Sequence, residues 1–187
     1  MNAIVAQDTK RSSTASTSDH TQYLTFMLGG EMYAIGILAV KEIIEYRGLT
    51  EVPMMPACIR GVINLRGAVV PVMDLATRFG KDTAEVTKRT CIVIIEMESA
   101  GEHQVIGAVV DAVNAVLEIP AAETEPAPKF GAKIRTDFIA GMGKVNGKFV
   151  ILLNVDSVLS MDEMNALSEL GNGTHQAQPL QAAATPA

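Results

Sequence analysis

Apolar residues along most of this chain fall in short β-branched runs bounded by turn residues, a strand pattern rather than a helical one. The runs predict strands over 22–28, 31–35, 61–65, 69–73, 90–97, 104–110, 115–119, 139–145 and 148–153. Gly29-Gly30 and Asn146-Gly147 separate neighbouring runs with residues that tolerate positive φ, and Arg66-Gly67 and Ala100-Gly101 resemble them, so hairpins are expected. Two periods compete between 37 and 46. Ile37, Val40, Ile43 and Ile44 fit a helical stripe, whereas Val40, Glu42, Ile44 and Tyr46 fit one strand face, and we read a short helical turn leading into a strand. After 153, Val155, Val158 and Leu159, then Met161, Met164 and Leu167, recur at helical spacing and predict one or two short helices over 154–170. Strands this short and frequent leave no room for crossover helices, so a barrel or sandwich is expected.

An internal repeat sets the expected organisation. The run from Gly61 to Leu75 lies without a gap over the run from Gly141 to Val155, 80 residues on, with two glycines, the apolar doublets and the Asp74/Asn154 position coinciding. Upstream, Tyr33, Ile35, Ile37, Val40 and Ile43 lie over Ile106, Ala108, Val110, Val113 and Val116, 73 residues on, a difference that a loop insertion absorbs. We expect a mainly β protein of two small barrels of about five strands, intertwined and roughly 21–88 and 89–153, burying a shared face that neither buries alone. A C-terminal helix over 154–170 follows, between Ser/Thr-rich residues 1–20 and Gly/Gln/Ala/Pro-rich residues 171–187, both read as disordered tails.

Composition narrows the function more than the fold. Among 187 residues 48% are hydrophobic but only 4% aromatic, so the core must be aliphatic, with ten Met and no Trp. A formal charge of −6 repels a phosphate backbone and makes nucleic acid an improbable partner. The start lacks the basic flank and long apolar stretch of a secretory signal, and no apolar run approaches the roughly 20 residues that span a bilayer. Cys58 and Cys91 stand alone, which fits reduced thiols in a cytoplasmic protein.

No catalytic constellation assembles. His20 and His175 fall in the tails, leaving His103 as the one histidine of the ordered body, too few ligands for a zinc or histidine-based acid/base site. There is no nucleophile elbow, and neither cysteine has an activating histidine nearby in sequence. The glycine-rich run from Gly141 to Phe149 has the wrong spacing for a phosphate loop, puts Phe149 where such a loop needs Ser or Thr, and leads into a strand instead of a helix. Tyr23, Phe26, Tyr33, Tyr46, Phe79, Phe130, Phe138 and Phe149 are too scattered for a stacking platform or a proline-rich peptide groove, and most read as core. We therefore expect an adaptor that binds other proteins, with no enzymatic activity, cofactor or metal.

The segment from Val52 to Leu75, and above all its Asn64-Leu65-Arg66-Gly67 turn and Val70-Pro71-Val72 strand, closely resembles the CheW family of bacterial chemotaxis coupling proteins. The likeness runs from Gln22 to about Leu170, through Tyr33 to Ile37, Val40 to Ile43, Gly107 to Val116 and Pro126-Ala127-Pro128. It implies two SH3-like five-stranded barrels around a hydrophobic seam, with short helices at connections and at the C-terminus. It implies a cytoplasmic adaptor, recruited to receptor arrays at the inner membrane, that couples methyl-accepting chemoreceptors to the histidine kinase CheA and helps assemble those arrays. Carried onto this chain, the resemblance assigns Ile37, Arg66, Gly107, Val113 and Val116 to a receptor groove along the seam. Val40 and Glu42 would meet the kinase at one barrel end, and Glu125, Lys129 and Phe130 would make a second kinase contact. Each assignment has a plainer rival: Ile37, Val113 and Val116 as core, Arg66 as a solvated charge, Glu42 as an ordinary strand carboxylate, Gly107 as room for close packing. Two other functions stay open, a CheW-like adaptor of a pilus or other non-flagellar pathway and, from a different class, a small-ligand barrel.

Overall fold

The computed structural model describes residues 20–99, 101–128 and 135–162. In chain order its strands are β1 (His20–Leu28), β2 (Glu31–Gly36), β3 (Val40–Glu45), β4 (Ile59–Leu65), β5 (Ala68–Asp74), β6 (Cys91–Ser99), β7 (Glu102–Val110), β8 (Ala112–Pro120), β9 (Thr124–Glu125), β10 (Ile139–Val145) and β11 (Lys148–Leu153). Two one-turn helices, α1 (Leu75–Arg78) and α2 (Val155–Val158), follow β5 and β11, and a 3-10 turn, Ile37–Ala39, joins β2 to β3. The doubly periodic segment thus takes both forms, a tight turn and then a strand. α1 is a short helix at a connection, as the resemblance implied; the two-residue β9 was not anticipated, and the predicted helix over 154–170 is seen as α2, its part from 163 onward lying outside the described residues. The tails lie outside them too, except that His20 opens β1.

The strands form two sheets, a six-stranded one in the order β8-β1-β2-β11-β10-β9 and a five-stranded one in the order β3-β6-β7-β5-β4. Each curls until its edges meet. Beyond β3, Thr50 pairs with Val62 of β4, its N–H donating to the Val62 carbonyl (3.0 Å) and its carbonyl accepting from the Val62 N–H (2.8 Å). Beyond β8, β9 pairs with β10 through Thr124 and Glu125 opposite Gly143 and Met142. The repeated glycines stand at these closures: a Cβ on Gly61 (φ +155°) would lie 2.4 Å from the Thr50 carbonyl oxygen, and one on Gly141 would lie 3.0 Å from that of Glu125. Both follow a bulge, between Ile59 and Gly61 and between Ile139 and Gly141.

The repeat is therefore visible in three dimensions. Asp74 caps α1, its Oδ1 accepting from the Ala76 N–H at 2.9 Å, and Asn154 caps α2, accepting from the Ser157 N–H at 3.4 Å. Parallel pairing sets Val72 opposite Gly107 and Leu152 opposite Ala34, matching both sequence offsets. The repeats exchange hairpins: the first gives β1–β2 to the sheet containing β8 to β11, the second gives β6–β7 to the sheet containing β3 to β5. A division near residue 88 separates the two repeats but runs through the five-strand barrel, which is the uninterrupted stretch from Val40 to Val110.

The largest core lies between the sheets. Leu24, Phe26, Tyr33 and Ile35 of the six-strand barrel meet Met73, Val93, Ile95 and Ile106 of the five-strand barrel, with Val158 and Leu159 at one side. Phe26, Tyr33, Phe79 and Phe138 form a line of ring contacts 5.6–6.1 Å apart through it. Alternate residues point into smaller cores inside each barrel, Ala34, Ile119, Val150 and Leu152 in one and Val72, Ile92, Ile94 and Val109 in the other. Strands buried on both faces read as continuous apolar runs, which is why β6 and β7 show no clean alternation.

Candidate functional site

β3 and β8 occupy equivalent positions at the edges of their sheets, each beside the hairpin donated by the other repeat. Their outward faces carry apolar side chains at matching places: Ile43 on β3 is 42% exposed and Val116 on β8, its counterpart 73 residues on, is 48% exposed. The matching residues Val40 and Val113 are half-buried against the seam core, opposite Ile95 and Phe26 respectively. Ile37 opens the 3-10 turn between the barrels and also packs against that core. Of the side chains assigned to a receptor groove, Ile37, Val113 and Val116 thus belong to the seam and its rim, with Val116 the most exposed.

Arg66 lies elsewhere, at the turn of the β4–β5 hairpin with φ +52°, followed by Gly67 at φ +90°. An Asn64 side chain that accepts from the Gly67 N–H (2.8 Å) fixes this turn. From it the guanidinium reaches β3, Nη2 donating to Glu42 Oε2 at 3.0 Å. Glu42 shares a strand face with Ile44 and Tyr46, which pack against the five-strand barrel's own core. Its other oxygen, Oε1, is shielded from solvent and has no hydrogen-bond partner among the described residues. The family resemblance assigned Arg66 to a receptor and Glu42 to a kinase; in the fold they are one ion pair.

Gly107 is buried in β7, where an added Cβ would lie 2.8 Å from Ile92 Cγ2 and 3.1 Å from Val72 Cγ2. It has no surface to offer a receptor, and close packing explains the glycine. Glu125 is exposed on β9, at the far closure of the six-strand barrel; Lys129 and Phe130 lie outside the described residues.

Several apolar residues that the sequence did not mark as exposed are exposed, Phe149 among them although most aromatics read as core. Leu38 is fully exposed at the centre of the 3-10 turn, Val69 and Phe149 are 73% and 54% exposed at matching places just past the two repeated hairpin turns, and Met54 is 95% exposed at φ +64°. Leu38 falls off the helical stripe of its segment though it keeps step with the strand stripe, and because it lies in the 3-10 turn the helical period is the one that marks it.

Titratable groups in the interior serve packing. Burial pushes the Cys58 thiol above its ordinary range, away from the reactive thiolate. Burial, together with the Glu31 carboxylate that accepts its O–H at 2.9 Å, raises the Tyr33 phenol well above the usual range. Among the described residues no three His, Cys, Asp or Glu side chains gather as metal ligands, and no helix is long and apolar enough to cross a membrane. What the surface presents is apolar edges beside hydrogen-bonded charge pairs, Arg66–Glu42 among them, a docking chemistry.

Residues 22–163 match the family model of the CheW-like domain. The chain is 35% identical over 143 residues to the chemotaxis protein CheW of Klebsiella aerogenes, covering 76% of this chain and 84% of that one. It is 33% identical over 150 residues to the chemotaxis protein CheW of Rhizobium meliloti, covering 80% and 94%. The crystal structure of the scaffolding protein TtCheW from Thermoanaerobacter tengcongensis matches with a TM-score of 0.68 at 33% identity, over 76% of this chain and 90% of that one.

Proposed function

The chain belongs to the CheW-like domain family of chemotaxis coupling adaptors, which have no catalytic activity, and from that premise we propose that it joins methyl-accepting chemoreceptors to the histidine kinase CheA. Receptors dock on the rim of the seam at Ile37, Val113 and Val116. The kinase docks on the β3 edge at Val40, Glu42 and Ile43, with a second contact around Glu125, Lys129 and Phe130. The adaptor works in the cytoplasm and is recruited to receptor arrays at the inner membrane.

The observation that supports this reading best is the Arg66–Glu42 pair. With Arg66 mostly exposed and Glu42 mostly covered, the pair contributes little to stability, about 0–1 kcal/mol. Yet it holds a guanidinium fork in place, ready for a partner's polar groups, next to an apolar edge. Contacts of about micromolar strength, near −8 kcal/mol each, suffice when several engage together in a lattice.

Co-sedimentation with receptor-containing membranes and CheA tests the reading. Arg66→Ala and Val116→Asp are expected to lower the sedimented fraction as a roughly tenfold loss of affinity would, about 1.4 kcal/mol, with a loss of stability of no more than about 1 kcal/mol. Val113→Asp should do so more strongly, at some cost in stability because its site is half-buried. A wild-type chain that stays in the supernatant with both partners present sinks the reading.

A further inference from the structure

The two repeated helices are equivalent in sequence and place but not in how they are held. At α1, Asp74 Oδ1 accepts from two backbone N–H groups, of Ala76 and Thr77, and the turn beyond is closed by Gly80 and Lys81 N–H groups donating to Thr77 and Ala76 carbonyls. At α2, Asn154 accepts from the Ser157 N–H at 3.4 Å, the long end of a hydrogen bond. Its last carbonyls are held from the other repeat: Arg78 Nε donates to the Val158 carbonyl (2.9 Å) and Nη2 to that of Ser157 (3.4 Å). The same guanidinium stacks on Phe138, 4.6 Å from the ring centre. Val158 is the repeat counterpart of Arg78 and has no donor to return the clasp.

α2 also borders a void. A cavity of about 10 Å³ lies in the seam; it touches α1 through Leu75 alone and α2 with its C-cap through Val155, Val158 and Leu159, with Phe26, Ile35 and Val93 opposite. Its lining is apolar and offers no hydrogen-bond partner to a water. Both Ile35 and its counterpart 73 residues on, the smaller Ala108, line the cavity. Atoms lining a void lose contacts on one side, and here those atoms include both buried residues of α2's last turn.

We propose that α2 is a strap over the seam, clasped by Arg78 and loosened by the void, that opens while the rest of both barrels stays folded. Open, it uncovers the apolar side chains of Phe26, Ile35 and Val93 at the junction between the barrels. Its use as a regulated element, set by whatever partner binds that junction, rests on the adaptor reading; the opening itself does not.

Hydrogen exchange of the full chain, measured by NMR with no partner present, separates the two. The Phe79 N–H donates to the Leu75 carbonyl (3.0 Å) and the Leu159 N–H to that of Val155 (2.9 Å), the same bond in each repeat. Leu159 is expected to be protected at least tenfold less than Phe79 in the wild type, as local opening requires. Val93→Ile, which adds one methyl to the void, should raise protection of Leu159 severalfold. Ile35→Val and Arg78→Gln should lower it, with β1–β2 amides unchanged. Equal protection of Leu159 and Phe79 in the wild type overturns the strap, as does a Leu159 amide that ignores Arg78→Gln. Loss of co-sedimentation has no bearing on it.

Discussion

The five-strand and six-strand barrels share a bulge, a closure and a capped helix, and differ in what fills them. At the start of β4, Arg60 Nε lies 3.1 Å from Asp74 Oδ2, with Asp74 buried and Arg60 nearly so. The guanidinium also donates to the Ala84 carbonyl (2.8 Å) and lies over the Tyr46 ring. The matching positions of the other barrel are Ala140 and Asn154, neutral and without a partner charge. Gly107 in the five-strand barrel likewise matches Ala34 in the other, because Ile92 and Val72 crowd one and not its counterpart. A cap oxygen and a closure glycine are thus required by the topology, whereas the buried ion pair is one solution among others.

The comparison is sharpest at the closures. Gly61→Ala places a methyl on a backbone oxygen at a φ that L-residues avoid, and is expected to cost about 3–5 kcal/mol. Gly141→Ala meets a looser contact and should cost about 1 kcal/mol; paired urea titrations measure both, and equal losses would break the asymmetry argued here. Next in size is Asp74→Asn, which copies Asn154, keeps the cap and strands the Arg60 charge, for about 2–3 kcal/mol. Adding Arg60→Ala recreates the neutral pair of the other barrel and should recover stability; a double variant whose losses simply add contradicts the coupling.

The smallest effect concerns Tyr33, whose counterpart is Ile106. Its phenol is held protonated in the fold beyond the ordinary value of 10.0. Stability from it is complete below that pH and is lost above it, by about 1.4 kcal/mol per pH unit. Melting temperatures followed to pH 11 should fall more steeply in the wild type than in Tyr33→Phe; parallel curves would remove Tyr33 from the account.

Local chemistry made most of the strands legible. Asn146-Gly147 adopts the paired positive φ values its residues favour, Arg66-Gly67 adopts the same pair although arginine seldom does, and the repeat anticipated two barrels because Val69-Val70 and Val72-Met73 of one hairpin recur as Phe149-Val150 and Leu152-Leu153 in the other. The exchange of hairpins was not legible, since a two-residue period says which face is buried and nothing about which sheet receives the strand. β9 is too short to carry a period. Among the candidate residues, the exposure of Val116 and Arg66 was legible because one lies on an edge strand and the other at a turn. Gly107 was misleading: absence of a side chain marks close approach whether by a partner or by the protein's own Ile92. The ion pair between Arg66 and Glu42 joins positions 24 apart, through a curl of the sheet that sequence spacing does not encode.

The uninterrupted stretch from Val40 to Val110 has a consequence for how the molecule is made. Vectorial synthesis delivers all strands of one barrel while β1 and β2, already emerged, still lack β8, β10 and β11. The early hairpin must therefore wait, greasy side uncovered, until a segment more than a hundred positions later leaves the ribosome. Of the two barrels, the one containing both the earliest and the latest strands is the last to be completed, and its arrival covers the seam face of the first.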